Sequence, residues 1–460
     1  MKDKTKLQWL NVVFIVLLHI LFTACQSGKE NDPEIGFTIP VDYYILPNGL
    51  KVILSQDKTA PTVMVAIYYN IGFRIEPKNR TGFAHLFEHM MFQGTKNMPK
   101  GEFMKIIEGN GGEFNGSTYY DYTNYYEIIP SHMLKPILWV EADRMSSLDI
   151  TEENLNNQRE VVKNEVNDKV LNAPYGGFPW LDMPQYANEN WHNAHNFFGN
   201  LEDLDSAKIE DVTSFFKAYY APNNATLTVI GDFEIDNAKK WIEEYFGVIP
   251  KANLRPIADT SEPEQKEEKR FVKEDKLANK PAISIAYKMP ERNTSQYYAM
   301  GLIDQLLLQG DDSKLNNLLV QEKEYTDEVS GGINYSGNMF NYSGPALWIS
   351  KLIYDSEVST DSIISQFDNA IASLDNITQE ELDLAMIKLR SNLYDIIADK
   401  EGRADLLSCF ALFDDDPTRI NKIEGEFKKI TPDMIRKTLK QYLRKTNRTI
   451  LIIDPKAEGI

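Results

Sequence analysis

Apolar and polar positions along this chain follow two periods, one of strands and one of helices. Tyr43 to Leu54, Thr62 to Tyr69 and Asn124 to Ile129 are rich in β-branched and aromatic residues and read as strands. Between and after them, apolar residues recur at helical spacing over Gly82–Phe92, Lys100–Glu108, Met133–Met145 and Thr151–Leu171. The last of these opens on Thr151-Glu152-Glu153, a hydroxyl cap followed by acidic residues in the first turn. Ala225 to Ile230 is a further strand, followed by an amphipathic helix to Phe246. Residues 252–276 carry Pro256, Pro263 and a dense charge run, with little that enters a core, and read as a linker.

After the linker the same order recurs. His85-Leu86-Phe87-Glu88-His89-Met90-Met91-Phe92-Gln93-Gly94 aligns without a gap on Gly301-Leu302-Ile303-Asp304-Gln305-Leu306-Leu307-Leu308-Gln309-Gly310. Asp149-Ile150-Thr151 through Leu155 matches Asn376-Ile377-Thr378 through Leu382, and Tyr219, Asn224, Thr226 and Leu227 match Tyr442, Asn447, Thr449 and Ile450. Matches in the same order point to a duplicated unit. The expected fold is α+β, with two homologous halves over 40–251 and 277–457, each an antiparallel sheet packed with helices.

Composition narrows the chemistry. With 42% hydrophobic and 11% aromatic residues the chain is too apolar for disorder, and a net charge of −19 excludes a nucleic-acid partner. Two cysteines, Cys25 and Cys409, supply neither a disulfide framework nor a Cys-rich zinc site, so a metal would be held by His and carboxylate. At the N-terminus Lys2, Lys4 and Lys6 precede a 15-residue apolar run, Leu10 to Ala24, short of the roughly 20 residues a membrane span needs. That arrangement reads as a secretory leader over 1–24, followed by a polar tether over 25–39. Phe22-Thr23-Ala24-Cys25 resembles the bacterial lipoprotein signal, which implies a lipid on Cys25 and a place in the bacterial cell envelope, on the periplasmic or outer-membrane face. Losing the leader removes three Lys and one Asp and takes the charge from −19 to −21, so the acyl chains rather than anionic headgroups would hold the body to the membrane.

His85-Leu86-Phe87-Glu88-His89 is an H-x-x-E-H sequence. Positions i and i+4 lie on one helix face, so both imidazoles can meet a single zinc. Glu88 shares that face and can take a proton from a water whose pKa zinc lowers to about 7. The alternative is a buried helix with two hydrogen-bonded histidines.

The motif resembles that of the inverted-motif zinc peptidases, the insulinase or pitrilysin family, and the likeness runs from Tyr43 to about Pro455. The resemblance implies one zinc per chain and a third ligand, a Glu on a separate helix. Gln158-Arg159-Glu160-Val161-Val162-Lys163-Asn164-Glu165 matches the family's stretch, and Glu165, 76 positions after His89, is the implied ligand. Glu160 competes, but five residues turn about 140° around a helix, so the two cannot face one metal together. Gln158 stands where the family usually has a Glu that supports the ligand. Gly111-Gly112-Glu113-Phe114-Asn115-Gly116-Ser117-Thr118 resembles the family's substrate-binding edge strand, with Phe114, Asn115 and Gly116 as substrate-binding residues. Such a strand pairs with extended peptides or unfolded chains. Trp180, Trp191, His192 and His195 read as packing, His132 as a helix cap and Cys409 as a buried apolar residue.

The second half has lost the ligands, since Gly301, Asp304, Gln305 and Asn392 stand where the first half has His85, Glu88, His89 and Glu165. Family members that work alone carry an Arg and, seven residues later, a Tyr in this half to grip substrate; here those places fall on Val320 and Asp327, and no Arg occurs between Arg292 and Arg390. The resemblance therefore implies a zinc endopeptidase shaped as half a clamshell. The resemblance further implies that a homologous zinc-less partner would supply the pair, as in two-subunit members such as mitochondrial processing peptidase, with a homodimer the less favoured arrangement. The competing expectation is a non-catalytic binding or assembly subunit that keeps the fold.

Overall fold

The computed structural model describes residues 38–256 and 258–455. The leader, Cys25 and nearly all of the tether lie outside the described residues. From Pro40 onward the chain is one compact unit built on two sheets. The first contains β1 (Asp42–Ile45), β2 (Lys51–Gln56), β3 (Thr62–Tyr69), β4 (Glu113–Thr118), β5 (Thr123–Pro130) and β6 (Ala225–Gly231), in the order β1-β2-β6-β3-β5-β4. The second contains β7 (Lys269–Asp275), β8 (Ala282–Lys288), β9 (Ser330–Ile333), β10 (Leu347–Ile353) and β11 (Arg448–Pro455), in the order β7-β11-β8-β10-β9.

The two orders superimpose strand for strand once β1 is set aside. In each sheet the strand before the central hairpin runs parallel to the last strand, β2 beside β6 and β7 beside β11, and every other pair is antiparallel. The match corrects the linker expectation, because residues 269–275 are strand β7, the counterpart of β2. Its sequence, Lys-Arg-Phe-Val-Lys-Glu-Asp, alternates between half-buried and exposed. An edge strand with one neighbour tolerates such charge, which hides it from a reading based on hydrophobicity. Gln265 is buried too, with its Nε2 donating to the Arg448 carbonyl at 2.8 Å.

Helices cover the sheets: α1 (Phe83–Met90), α2 (Leu134–Ser147) and α3 (Glu152–Val166) in the first half, and α4 (Ser295–Leu307), α5 (Gln379–Ala398) and α6 (Lys400–Asp414) in the second. Among the described residues, no helix is long and apolar enough to cross a membrane. The halves share their packing. Helix α6 lies against the first sheet, with Ser408 and Thr228 hydroxyls 2.7 Å apart, Lys51 Nζ donating to the Ala411 carbonyl at 2.8 Å and Arg403 pairing with Asp57 at 3.0 Å. Phe178, Met183 and Ala187, from the first half of the sequence, pack in turn with Ala282, Leu347 and Leu451 of the second sheet.

Helix α1 has its place because Leu86, Phe87 and Met90 are fully buried in the core of the first sheet, each worth about 1.5–3 kcal/mol of apolar burial. The same period turns His85 and Glu88 toward a cavity of about 310 Å³, which they line together with Glu165. His132 caps no helix, since the start of α2 has no side-chain cap.

Candidate metal centre

The N-terminus of α1 is held by a residue the sequence did not single out. Gly82 takes a left-handed φ of +80°, and the carboxylate of the fully buried Glu76 accepts from Gly82 N at 2.9 Å and Ala84 N at 2.6 Å. A carboxylate on the open N–H groups of a helix start is the favourable end of the helix dipole. Helix α3 begins where expected, at Thr151, whose hydroxyl accepts from Asn154 N at 3.1 Å. It runs across α1 and delivers Glu165.

His85 Nε2 and His89 Nε2 are 3.2 Å apart, and Glu165 Oε2 lies 3.4 Å from each. A zinc with bonds of about 2.0–2.1 Å in tetrahedral geometry separates its donor atoms by about 3.3–3.4 Å, so this near-equilateral triangle fits one. Among the described residues these three form the one His/Cys/Asp/Glu group able to hold a metal ion. His85 is buried, its ring tilted against Phe197 at 4.4 Å and edge-on to Phe198 at 5.2 Å. The two histidines hold the Glu165 carboxyl well below the usual carboxylate range, which keeps it ionised as a ligand must be. Glu160 points away, exposed and paired with Lys163.

Glu88 stands on the same face, and its Oε2 is buried with no hydrogen-bond partner. Burial pushes its carboxyl up, opposed by the neighbouring His85. A buried acceptor left open beside a metal-ligand triangle is what a proton-accepting group needs.

β4 is the free edge of the first sheet, paired only with β5. Asn115 is exposed there, but its Oδ1 accepts from Gly116 N at 2.9 Å. Phe114, half-buried, turns its ring onto Phe92 at 5.5 Å and Phe103 at 5.2 Å. A Cβ on Gly116 would lie 3.2 Å from the Tyr125 ring and 3.3 Å from Phe92. Trp180 and His195, expected to be packing, line the site cavity, as does Lys169, whose Nζ is 2.7 Å from Glu165 Oε1. Lys169 lies four residues after the ligand, and that spacing was its only sequence signal. From the second half, Ser336 lines this cavity; Val320 and Asp327 do not.

Among the described residues, the equivalent place in the second half holds no His/Cys/Asp/Glu group able to bind a metal ion. Gly301, Asp304, Gln305 and Asn392 surround a separate cavity of about 320 Å³, with Asn392 Nδ2 3.4 Å from Gln305 Oε1. A Cβ on Gly301 would come within 2.9 Å of Phe427 and 3.0 Å of Met339 Sδ, so a side chain at that position would have to displace them.

Comparison with known proteins agrees with this duplicated arrangement. The family profile described as "Insulinase (Peptidase family M16)" matches residues 51–189, and that described as "Peptidase M16 inactive domain" matches 206–389. The chain belongs to the M16, or insulinase, peptidase family. It is 25% identical to "Zinc protease PqqE" of Helicobacter pylori over 89% of this chain and 92% of that one. It is 26% identical to "Mitochondrial-processing peptidase subunit beta" of Bos taurus over 44% of this chain and 41% of that one. The fold superimposes on a crystal structure of a protease from Helicobacter pylori with a TM-score of 0.84 at 22% identity, covering 91% of this chain and 100% of that one. It also superimposes on the periplasmic protease PqqL from Escherichia coli with a TM-score of 0.73 at 17% identity, covering 90% of this chain but 47% of that one.

Proposed function

We propose that this chain is a zinc endopeptidase acting on peptides or unfolded polypeptides. The observation that carries the reading is the 3.2, 3.4 and 3.4 Å triangle of His85, His89 and Glu165 with the open Glu88 oxygen beside it. His85, His89 and Glu165 would hold one zinc ion. Zinc bound there supplies a Lewis acid that polarises a peptide carbonyl and acidifies water. Glu88 Oε2 takes the proton of the attacking water and passes it to the leaving amine. The free edge of β4 pairs with the main chain of an extended substrate and aligns its carbonyl with the site, which favours unfolded segments over folded domains.

A homologous zinc-less partner completes the grip on substrate. Three observations support this: among the described residues only Ser336 reaches the site cavity from the second half, Val320 and Asp327 occupy the places of the family's Arg and Tyr, and PqqL is long enough for two units of this size. The leader pattern and Cys25 add a lipid anchor in the cell envelope to the proposal, on sequence grounds.

Glu88→Gln tests the reading. The variant should retain zinc and lose peptide turnover by about 10²–10⁴-fold, measured with and without a zinc-less homologue added. The second reading, a non-catalytic subunit, draws on the inactive-domain profile over residues 206–389. Equal turnover in wild type and variant, with zinc in both, would establish it.

A further inference from the structure

We infer that Lys169 is a positioning residue that restricts Glu165 to one metal-facing oxygen and so keeps the metal centre open and only moderately tight. The inference rests on the zinc-site reading above and concerns how this chain's own residues treat the ion.

The two oxygens of Glu165 have different partners. Oε2 faces both imidazoles at 3.4 Å, whereas Oε1 accepts from Lys169 Nζ at 2.7 Å. Lys169 sits in the wide turn Asn167–Leu171 that continues α3, where Asn172 N bonds to the Asn167 carbonyl at 2.8 Å. Such π-type turns set side chains differently from a regular helix end and often mark functional sites. Its side chain is 65% exposed, against 19% for Glu165, so the ammonium lies at the mouth of the cavity with the ligand beneath it.

A carboxylate with both oxygens free can take two positions around a small cation; one held by an ammonium offers a single position and leaves the rest for water and substrate. Lys169 also places a positive charge close to where a divalent cation would sit, which opposes binding. Gln158, two turns before Glu165 and buried, is neutral and adds no compensating charge. The two effects have the same sign. Removing the ammonium frees Oε1 and lifts the repulsion, so affinity for zinc rises, while the second oxygen crowds the position that water needs.

The test is the zinc dissociation constant of wild type, Lys169→Met and Lys169→Arg, measured by competition with a chromophoric chelator. Thermal unfolding of the three zinc-free proteins serves as the control for folding. Lys169→Met should bind zinc at least about tenfold more tightly, the scale on which partners of metal ligands act, and Lys169→Arg should stay near wild type. The zinc-loaded Met variant should lose kcat with little change in KM. Equal or weaker zinc binding by Lys169→Met overturns the role of Lys169 and leaves the metal site standing. Absence of stoichiometric zinc from wild type overturns both.

Discussion

His195 and Glu76 form a buried pair behind helix α1, with the imidazole Nε2 3.7 Å from the carboxylate. Both ring nitrogens face acceptors: Nδ1 donates to the Trp191 carbonyl at 2.9 Å and Nε2 donates to the Phe73 carbonyl. A ring that donates from both nitrogens is an imidazolium. Burial depresses its proton affinity, but Glu76 and the two carbonyls outweigh that and raise it overall. Glu76 is pushed up by burial, opposed by His195 and the N–H groups of Ala84 and Gly82. Lys78 lies 5.3 Å from the centre of the Trp191 ring that stacks on His195 at 4.2 Å, and Glu88, Glu165 and Lys169 line the same cavity as His195.

A pH dependence follows from this pair. Folded His195 holds its proton more tightly than the unfolded chain does, so its contribution to stability is full below about pH 6.5 and is lost as pH rises through the raised value. Glu76, also raised, acts in the same direction at lower pH. Urea unfolding of wild type should therefore show stability falling by about 1 kcal/mol from pH 6 toward pH 9, and His195→Gln should flatten that slope. An unchanged slope in the variant would show that the ring is neutral at both ends.

A second buried cluster anchors the far end of the same helix. Arg144 donates from Nε to the Met91 carbonyl at 3.2 Å and from Nη1 to Glu127 at 3.2 Å and to Glu141. All three side chains are 1% exposed, and the guanidinium lies over the rings of Phe103, Phe92 and Tyr125 at 4.4–5.0 Å. Burial and the neighbouring Glu141 push the Glu127 carboxyl well up, against the pull of Arg144. Arg144→Met should cost about 3–5 kcal/mol, because it leaves buried carboxyls without a cation. Arg144→Met combined with Glu141→Gln should recover part of that loss in the same denaturation assay.

Asp304, in the place of Glu88, is structural. Trp348 Nε1 donates to it at 2.6 Å and Gln309 Nε2 at 3.1 Å, while burial pushes its carboxyl up to about 7. A carboxyl raised on folding weakens the fold as pH climbs from its ordinary value toward 7, because the folded state resists the charge. Asp304→Asn should then gain about 1 kcal/mol over wild type at pH 8 and little at pH 5, read from thermal unfolding. Peptide turnover should be unaffected.

The sequence by itself determined what is local. His85 and His89 are four positions apart, and any helix turns those rings onto one face, so the candidate metal-binding pair and Glu88 were legible in the sequence alone. The repeat was legible because the same buried positions recur in both halves. Tertiary structure decided what depends on distance through space. Charge hid β7 because an edge strand needs no apolar face, and Phe114 faces the core because of its neighbours Phe92 and Phe103. Glu165 was legible through family likeness alone, since nothing in its own helix distinguishes it from Glu160 until α3 crosses α1. Glu76, Lys169 and His195 acquire their roles from partners on other turns and loops. Burial and the meeting of opposite charges arise only when separate segments pack, and no period along the chain records them.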